Sequence, residues 1–145
     1  MSSDNKLNRF KFPLPDGWVD QSAYLFQGPQ VDDQYHNITL LIDRNPQADS
    51  VEEYARPRID EMLNALPGAE IVKEETREHP SGGQAIEVVY KWYQSDNKAL
   101  LRKQVYILYD EMACTFSADF TKKSMKTIGI QISQMIDSFI PELMS

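Results

Sequence analysis

The sequence predicts a single α+β domain, an antiparallel sheet of six to seven strands with two helices packed on one face. Segments of alternating apolar and polar residues between turn residues predict the strands, and two segments with apolar residues at helical spacing predict the helices. The connections are short, so antiparallel pairing needs no crossover. A chain of 145 residues fits one domain over residues 1–145, with residues 1–8 expected to be a flexible start.

The first half of the chain alternates short apolar segments with turns. Residues 10–14 predict a first strand, which ends at the Pro15-Asp16-Gly17 turn. Residues 21–27 and 36–43 predict the second and third strands. We expect the polar, turn-rich residues between these two strands to form their connection.

The first helix is predicted from a capping box formed by Ser50 and Glu53. It ends at Pro67-Gly68, and its apolar stripe consists of Ala55, Ile59, Met62, Leu63 and Leu66. Pro57 conflicts with a regular helix because it removes a hydrogen bond. We therefore expect a late or bent start.

The second half of the chain reads as a meander followed by a helix. Strands are predicted near residues 70–78, 84–94, 99–109 and 112–120, each separated by turn residues. The final helix is predicted from apolar residues on one face, namely Met125, Ile128, Ile132, Met135, Ile136 and Phe139.

Composition and charge argue against several classes of partner. The chain has 15 basic and 22 acidic residues, a net charge of −7 and a pI near 4.8. Nucleic acids and anionic lipids both require clustered Lys and Arg, so neither is an expected partner. No window of 18 apolar residues and no signal peptide are present, which predicts a cytoplasmic chain that does not insert into membranes.

No set of residues predicts catalysis, a metal site or a cofactor site. His36 and His79 have no Cys or acidic partner at ligand spacing. Cys114 lies in an apolar alternation that is typical of a buried, inert thiol. The pairs Asp32-Asp33 and Glu74-Glu75 are adjacent in sequence and are poor acid–base couples. We therefore expect a protein that is not an enzyme.

Alternation along the strands separates two faces of the predicted sheet. One is the predicted core face, with Ile38, Leu40, Ile42, Ile86, Val88, Tyr90, Trp92, Leu101, Val105, Ile107, Cys114, Phe116 and Phe120. The other should be polar, yet it carries Ala23, Leu25, Thr39, Leu41, Ala85, Val89, Leu100, Gln104, Tyr106, Leu108, Ala113, Thr115 and Ser117. Charges interrupt it only near the strand ends, at Arg102, Glu87, Lys91 and Asp119. It is either a groove for an apolar helix or peptide, or a face covered by a loop, a terminus or a dimer partner.

Four segments occur in an order that is similar to a known family. They are Phe12-Pro13-Leu14-Pro15-Asp16-Gly17-Trp18-Val19-Asp20-Gln21-Ser22, Ile42-Asp43-Arg44, Leu66-Pro67-Gly68 and Leu101-Arg102-Lys103-Gln104-Val105. Together they resemble the Eag chaperones of bacterial type VI secretion, over about residues 10–140. The resemblance implies a Mog/PsbP-like fold and a cytoplasmic homodimer. It also implies a role in holding the N-terminal transmembrane helices of a secreted effector on the concave sheet face and loading the effector for export.

The resemblance also places the site that would bind the partner helix. With Tyr106 added from the same strand parity, the candidate residues are Ala23, Leu25, Thr39, Leu41, Arg58, Gln104 and Tyr106. Two of them depart from the family pattern, since Arg58 stands where an uncharged amide is expected and Ala23 where a branched residue is expected. Two other functions are considered: a regulatory or scaffold module that binds a folded protein, and a small-ligand or enzymatic domain, which would need a pocket lined by titratable groups.

Overall fold

The computed structural model describes residues 12–19, 21–31 and 34–141. The elements are β1 (Ala23–Val31), β2 (Gln34–Asp43), α1 (Val51–Ala65), β3 (Glu70–Glu78), β4 (Gln84–Ser95), β5 (Lys98–Leu108), β6 (Ala113–Phe120), a 3₁₀ turn (Ser124–Lys126) and α2 (Ile128–Asp137). All six strands form one sheet with antiparallel neighbours, in the order β1-β2-β6-β5-β4-β3. The predicted α+β class with an antiparallel sheet and two helices is confirmed.

The strands of the second half begin and end within one residue of their predicted limits. The predicted first strand is wrong for the part that the structure describes, because residues 12–19 contain no strand; Phe10 lies outside the described residues. Pro13 and Pro15 have no N–H to donate to a neighbouring strand. Alternation of apolar residues alone therefore predicted a strand that does not form over these residues.

The edge strand β1 is longer than predicted and starts later. It continues through Gly28-Pro29, which had indicated a turn. Its pairing with β2 shifts between Gln27 and Gln30 and then resumes. An edge strand tolerates a proline because its outer N–H groups need no partner.

Helix α1 begins where the capping box predicts. The Ser50 hydroxyl accepts a hydrogen bond from the Glu53 N–H at 3.1 Å, and Val51 is the first helical residue. The late start expected from Pro57 is therefore wrong, since the proline lies inside the helix. The cap and the burial of Tyr54 stabilise the turns that precede it.

The two helices lie on opposite faces of the sheet, so the expectation that both cover one face is wrong. Along β5, Tyr106 packs in a cluster with the buried side of α1. Its neighbours Val105 and Ile107 pack instead with Ile132 and Ile136 of α2. Successive side chains of a strand point to opposite faces, which places one helix on each.

Strand β4 shows why the predicted assignment of residues to the two faces of the sheet is partly wrong. Its register with β5 puts one set of residues, predicted to share the face of Ile38, on the α1 face: Ile86, Val88, Tyr90 and Trp92. Ala85 and Val89 were predicted on the open face but are buried on the α2 face. Both sides of β4 are covered and both carry buried apolar residues, so alternation could not assign them.

A cluster of charges connects α2 to the sheet. Glu87 is buried and accepts a hydrogen bond from Lys73 at 3.0 Å, while the ammonium of buried Lys103 lies 3.7 Å away. Arg77 lies 3.7 Å from Glu87 and 3.0 Å from Asp137 of α2. Burial opposes the charged form of Glu87, but the hydrogen bond from Lys73 and the charges of Lys103, Lys73 and Arg77 outweigh it and lower its pKa.

Glu87→Gln is expected to destabilise the fold at neutral pH by about 3 kcal/mol, because buried Lys103 loses its carboxylate neighbour. A carboxylate with a lowered folded-state pKa stabilises above its ordinary value and loses that contribution as pH falls through the folded pKa. The free energy of unfolding of the unmodified chain should therefore fall more steeply below pH 4.5, the ordinary Glu pKa, than that of the variant. Urea denaturation over a pH series measures both.

The matched control is Glu75→Gln, which removes an exposed carboxylate from the neighbouring strand. A change of about 0.5 kcal/mol or less is expected for it. Equal pH slopes for Glu87→Gln and the unmodified chain would contradict the stabilising role of Glu87.

Candidate functional site

Helix α1 covers only part of its face of the sheet. It contacts β4 and β5, and no helix of the described residues lies above β1, β2 and most of β6. Leu25 and Leu41, which project from the uncovered strands, are 65% and 44% exposed. The result is a groove with a sheet floor and α1 as one wall.

The strand register arranges the floor of the groove as two adjacent rows across four strands. One row is Ala23, Leu41, Thr115 and Tyr106, and the other is Leu25, Thr39, Ser117 and Gln104. The structure thus brings together six of the seven predicted site residues, which come from β1, β2 and β5. Their role in binding stays a prediction.

Three connected hollows lie above this floor. The central one, of about 420 Å³, is lined by floor residues of both rows. A second, of about 350 Å³, lies against α1 and is lined by Leu41, Arg58 and Met62 among others. The third, of about 590 Å³, lies at the far end, where Tyr35, Asn37 and Gln94 contribute. Met62 packs against the buried cluster beneath α1, as the apolar stripe predicts, and it also lines the wall of the groove.

Polar groups of four floor residues, Thr39, Gln104, Tyr106 and Ser117, are hydrogen-bonded to one another. The Tyr106 hydroxyl donates to Oε1 of the Gln104 side chain at 2.7 Å, and Nε2 of the same side chain donates to the Ser117 hydroxyl at 2.9 Å. The Thr39 hydroxyl donates to the Ser117 carbonyl at 3.4 Å. Burial raises the pKa of Tyr106 to about 12, so its hydroxyl stays a donor. Because these groups are paired, covering them with an apolar segment leaves few hydrogen bonds unmade.

Arg58, the seventh predicted residue, lies at the rim rather than on the floor. Its guanidinium donates to the Tyr54 carbonyl at 2.8 Å and stacks 3.8 Å from the Tyr54 ring centroid. It also lies 3.6 Å from the Asp43 carboxylate, which accepts a hydrogen bond from the Tyr54 hydroxyl at 2.9 Å. Burial, and then the bond to Asp43, raise the pKa of Tyr54 to about 12. The charge of Arg58 is therefore offset by Asp43.

A second ion pair closes the far end of the groove. Arg102 makes two hydrogen bonds to Asp119, at 2.8 and 2.9 Å, and its guanidinium lies 5.3 Å from the Trp92 ring centroid. The sequence indicated both charged residues only as interruptions near the strand ends. Their facing positions on β5 and β6 could be found only from the register.

Residues considered for catalysis or metal binding lie away from the groove. His79 accepts a hydrogen bond from the Ser81 N–H at 3.0 Å, and its other ring nitrogen lies 2.7 Å from the Ile136 carbonyl. Cys114 is buried, and burial raises the pKa of its thiol to about 12. Among residues 12–19, 21–31 and 34–141, no three His, Cys, Asp or Glu side chains are placed to hold a metal ion. Asp32-Asp33 lie outside the described residues.

Comparisons with known proteins match the chain to one family and to several solved structures of the same fold. The DcrB family model matches residues 11–138, and no curated protein matches the sequence. A crystal structure of PA94 from Pseudomonas aeruginosa, a protein of unknown function described as a candidate regulator, is 19% identical, with 88% of each chain covered and a TM-score of 0.74.

Two further structures share the fold at lower similarity. LpqN of Mycobacterium tuberculosis, involved in cell envelope biogenesis, is 14% identical over 89% of this chain and 80% of that chain, with a TM-score of 0.56. The solution structure of cyanobacterial PsbP from Synechocystis is 13% identical over 88% and 95%, with a TM-score of 0.50. At these identities the likeness concerns the fold, and it confirms the predicted PsbP-like fold. The helices found among the described residues are too short or too polar to cross a membrane.

Replacing Leu25 and Leu41 together by Ser is expected to weaken binding of the dye 1-anilinonaphthalene-8-sulfonate, measured by its fluorescence. Both side chains are largely exposed, so the free energy of unfolding should change by about 1 kcal/mol or less. The control Ile130→Ser removes an exposed apolar side chain on α2 and should leave the dye signal unchanged. Equal dye binding by the Leu25/Leu41 variant would show that the groove is not an accessible apolar surface.

Proposed function

We propose that this chain, which belongs to the DcrB family, is a non-catalytic binding protein that shields an apolar helix of a partner protein in its groove. The observation that carries the proposal is the uncharged floor, on which Leu25 and Leu41 remain exposed. Covering apolar surface of this kind is favourable by about 25 cal/mol per Å².

The dimensions of the groove suit one helix. Three strand spacings separate β1 from β5, or about 14 Å, and a helix with its side chains is about 10–12 Å wide. A helix lying on the floor would contact Met62 of α1 at its side. The groove therefore offers a floor and one side wall to a partner of this shape.

Small side chains on the floor favour close approach of a membrane-type helix. Ala23, Thr39, Thr115 and Ser117 occupy half of the two rows. Interfaces between transmembrane helices are enriched in such residues because dispersion contacts and interhelical hydrogen bonds replace the hydrophobic effect there. A helix that normally packs in this way finds a similar surface here.

The resemblance to Eag chaperones supplies the finer proposal. The partner would be a type VI secretion effector whose N-terminal transmembrane helices are held in the cytoplasm before export. A homodimer is proposed on the same basis. The edge strand β1 carries no charged residue, and such an edge leaves its backbone groups open to a second copy.

The polar end of the groove favours a second candidate function. Tyr35, Asn37 and Gln94 line the third hollow together with the Arg102–Asp119 pair. Those groups suit the hydrogen-bonding surface of a folded protein. A regulatory module that binds a folded partner is the alternative.

The variants Leu25→Asp and Leu41→Asp distinguish shielding of an apolar helix from binding of a folded partner. A carboxylate covered by an apolar helix should cost about 2 kcal/mol, or roughly a 30-fold loss of affinity. The measurement is co-expression with the N-terminal segment of a candidate effector, followed by the fraction of that segment in the soluble extract. We expect the unmodified chain to keep the segment soluble and both variants to fail.

Ile130→Asp, on the opposite face, is the matched control and should behave as the unmodified chain does. A segment that stays soluble without this protein would refute the shielding function. Binding of a folded partner that tolerates Leu25→Asp and Leu41→Asp, with no effect of either variant on the solubility of the segment, would favour the regulatory module.

A further inference from the structure

We propose that residues 12–19, here called the arm, form a second apolar contact surface that covers the outward side of a helix seated in the groove. The inference rests on the proposed function and extends it to the arm, which does not line the groove. Four of the eight residues of the arm have exposed apolar side chains, namely Phe12, Leu14, Trp18 and Val19. Phe12 and Trp18 are the most exposed of them, at 74% and 70%. Such a concentration of exposed apolar surface marks a contact site.

The arm joins the sheet at one end of the groove. The Ile42 N–H donates to the Ser22 carbonyl at 2.8 Å, which fixes the chain beside the first row of the floor. The Gln21 amide lies 3.4 Å from the Asp43 carboxylate, the same carboxylate that faces Arg58 at the rim. The segment that follows the arm is therefore attached where β1, β2 and α1 meet.

The sequence of the arm sets its shape. Pro13 and Pro15 restrict the backbone to extended conformations, in which residues 12–15 span about 12 Å. The Trp18 N–H then donates to the Pro15 carbonyl at 3.2 Å, and Gly17 takes a φ of 91°. This turn changes the direction of the chain, and the extended part is about as long as a helix is wide.

A helix taken from a membrane has apolar side chains on every side. The floor and α1 contact its inward side and one flank, so its outward side stays in water. The arm starts at the same end of the groove and has the length and the apolar residues to cross it. Since prolines reduce the conformations that the arm loses on binding, ordering it costs little.

The test uses Trp18 as a reporter in the full chain. The chain has two tryptophans, so Trp92→Phe leaves Trp18 as the only one. The probe is a synthetic helix of about 20 alternating Leu and Ala residues with two Lys at each end, diluted from trifluoroethanol into buffer containing the protein. Light scattering reports whether the peptide stays soluble, and tryptophan emission reports whether Trp18 leaves water.

A second variant replaces Phe12, Leu14, Trp18 and Val19 by Ser, with Ile130→Ser/Ile140→Ser as the control for loss of exposed apolar residues. All six side chains are exposed, so an unchanged melting temperature is expected. We expect Trp18 emission to move to shorter wavelength with the peptide, and the arm variant to bind it about tenfold or more weakly than the unmodified chain and the control.

The outcomes separate the two proposals. A soluble peptide with unchanged Trp18 emission, or with equal affinity for the arm variant, overturns the role of the arm and leaves the groove function intact. A peptide that precipitates equally with and without the protein overturns the groove function, and the role of the arm with it.

Discussion

The rest of the structure depends on a mismatch of width between sheet and helix. Six strands span about 24 Å across the sheet, whereas one helix covers about 10–12 Å. Residues 12–19, 21–31 and 34–141 place one helix on each face, so these residues cover neither face completely. Because α1 lies over β4 and β5, the helix does not cover β1, β2 and β6, and these strands form the floor of the groove together with Gln104 and Tyr106 of the adjoining β5.

The placement of one helix on each side also means that β5, at the edge of the groove, is buried from both faces. Tyr106 and Val105 are neighbours in sequence, yet each is buried in a different core cluster. β5 is thus held from both faces, and the Gln104 side chain is fixed between Tyr106 and Ser117. A floor whose polar groups are oriented before a ligand arrives loses little freedom when it binds.

The sequence predicts the elements better than it predicts their relative faces. Ser50 determines the start of α1 through a local hydrogen bond, and turn residues delimit the last four strands. Alternation predicts which residues of one strand share a side, but it does not relate one strand to the next. For β4 both sides carry buried apolar residues, so the predicted face of Ala85 and Val89 is wrong. Only the register with β5 resolves this.

Alternation along the strands predicts one part of the candidate site and misses another. Leu25, Thr39 and Leu41 are separated by few residues and lie on adjacent strands, so alternation and a short connection suffice to bring them together. The partner of Arg58 is Asp43, across the connection between β2 and α1, and no local pattern indicates that contact. The predicted first strand is wrong because alternation takes no account of hydrogen-bond donors. Pro13 and Pro15 have no N–H to pair with a neighbouring strand.

The distribution of charge separates a binding surface from a solvated face. Charged residues make up 26% of the chain, yet none of the eight floor residues is charged. Two ion pairs stand at the ends of the floor, Arg58 with Asp43 and Arg102 with Asp119, and Glu61 of α1 lines the hollow beside the helix. Since the polar floor groups bond to one another, they add little preference for a particular ligand group. A partner would then be selected by the shape of its apolar surface along the groove and by what it presents to the ion pairs at the ends.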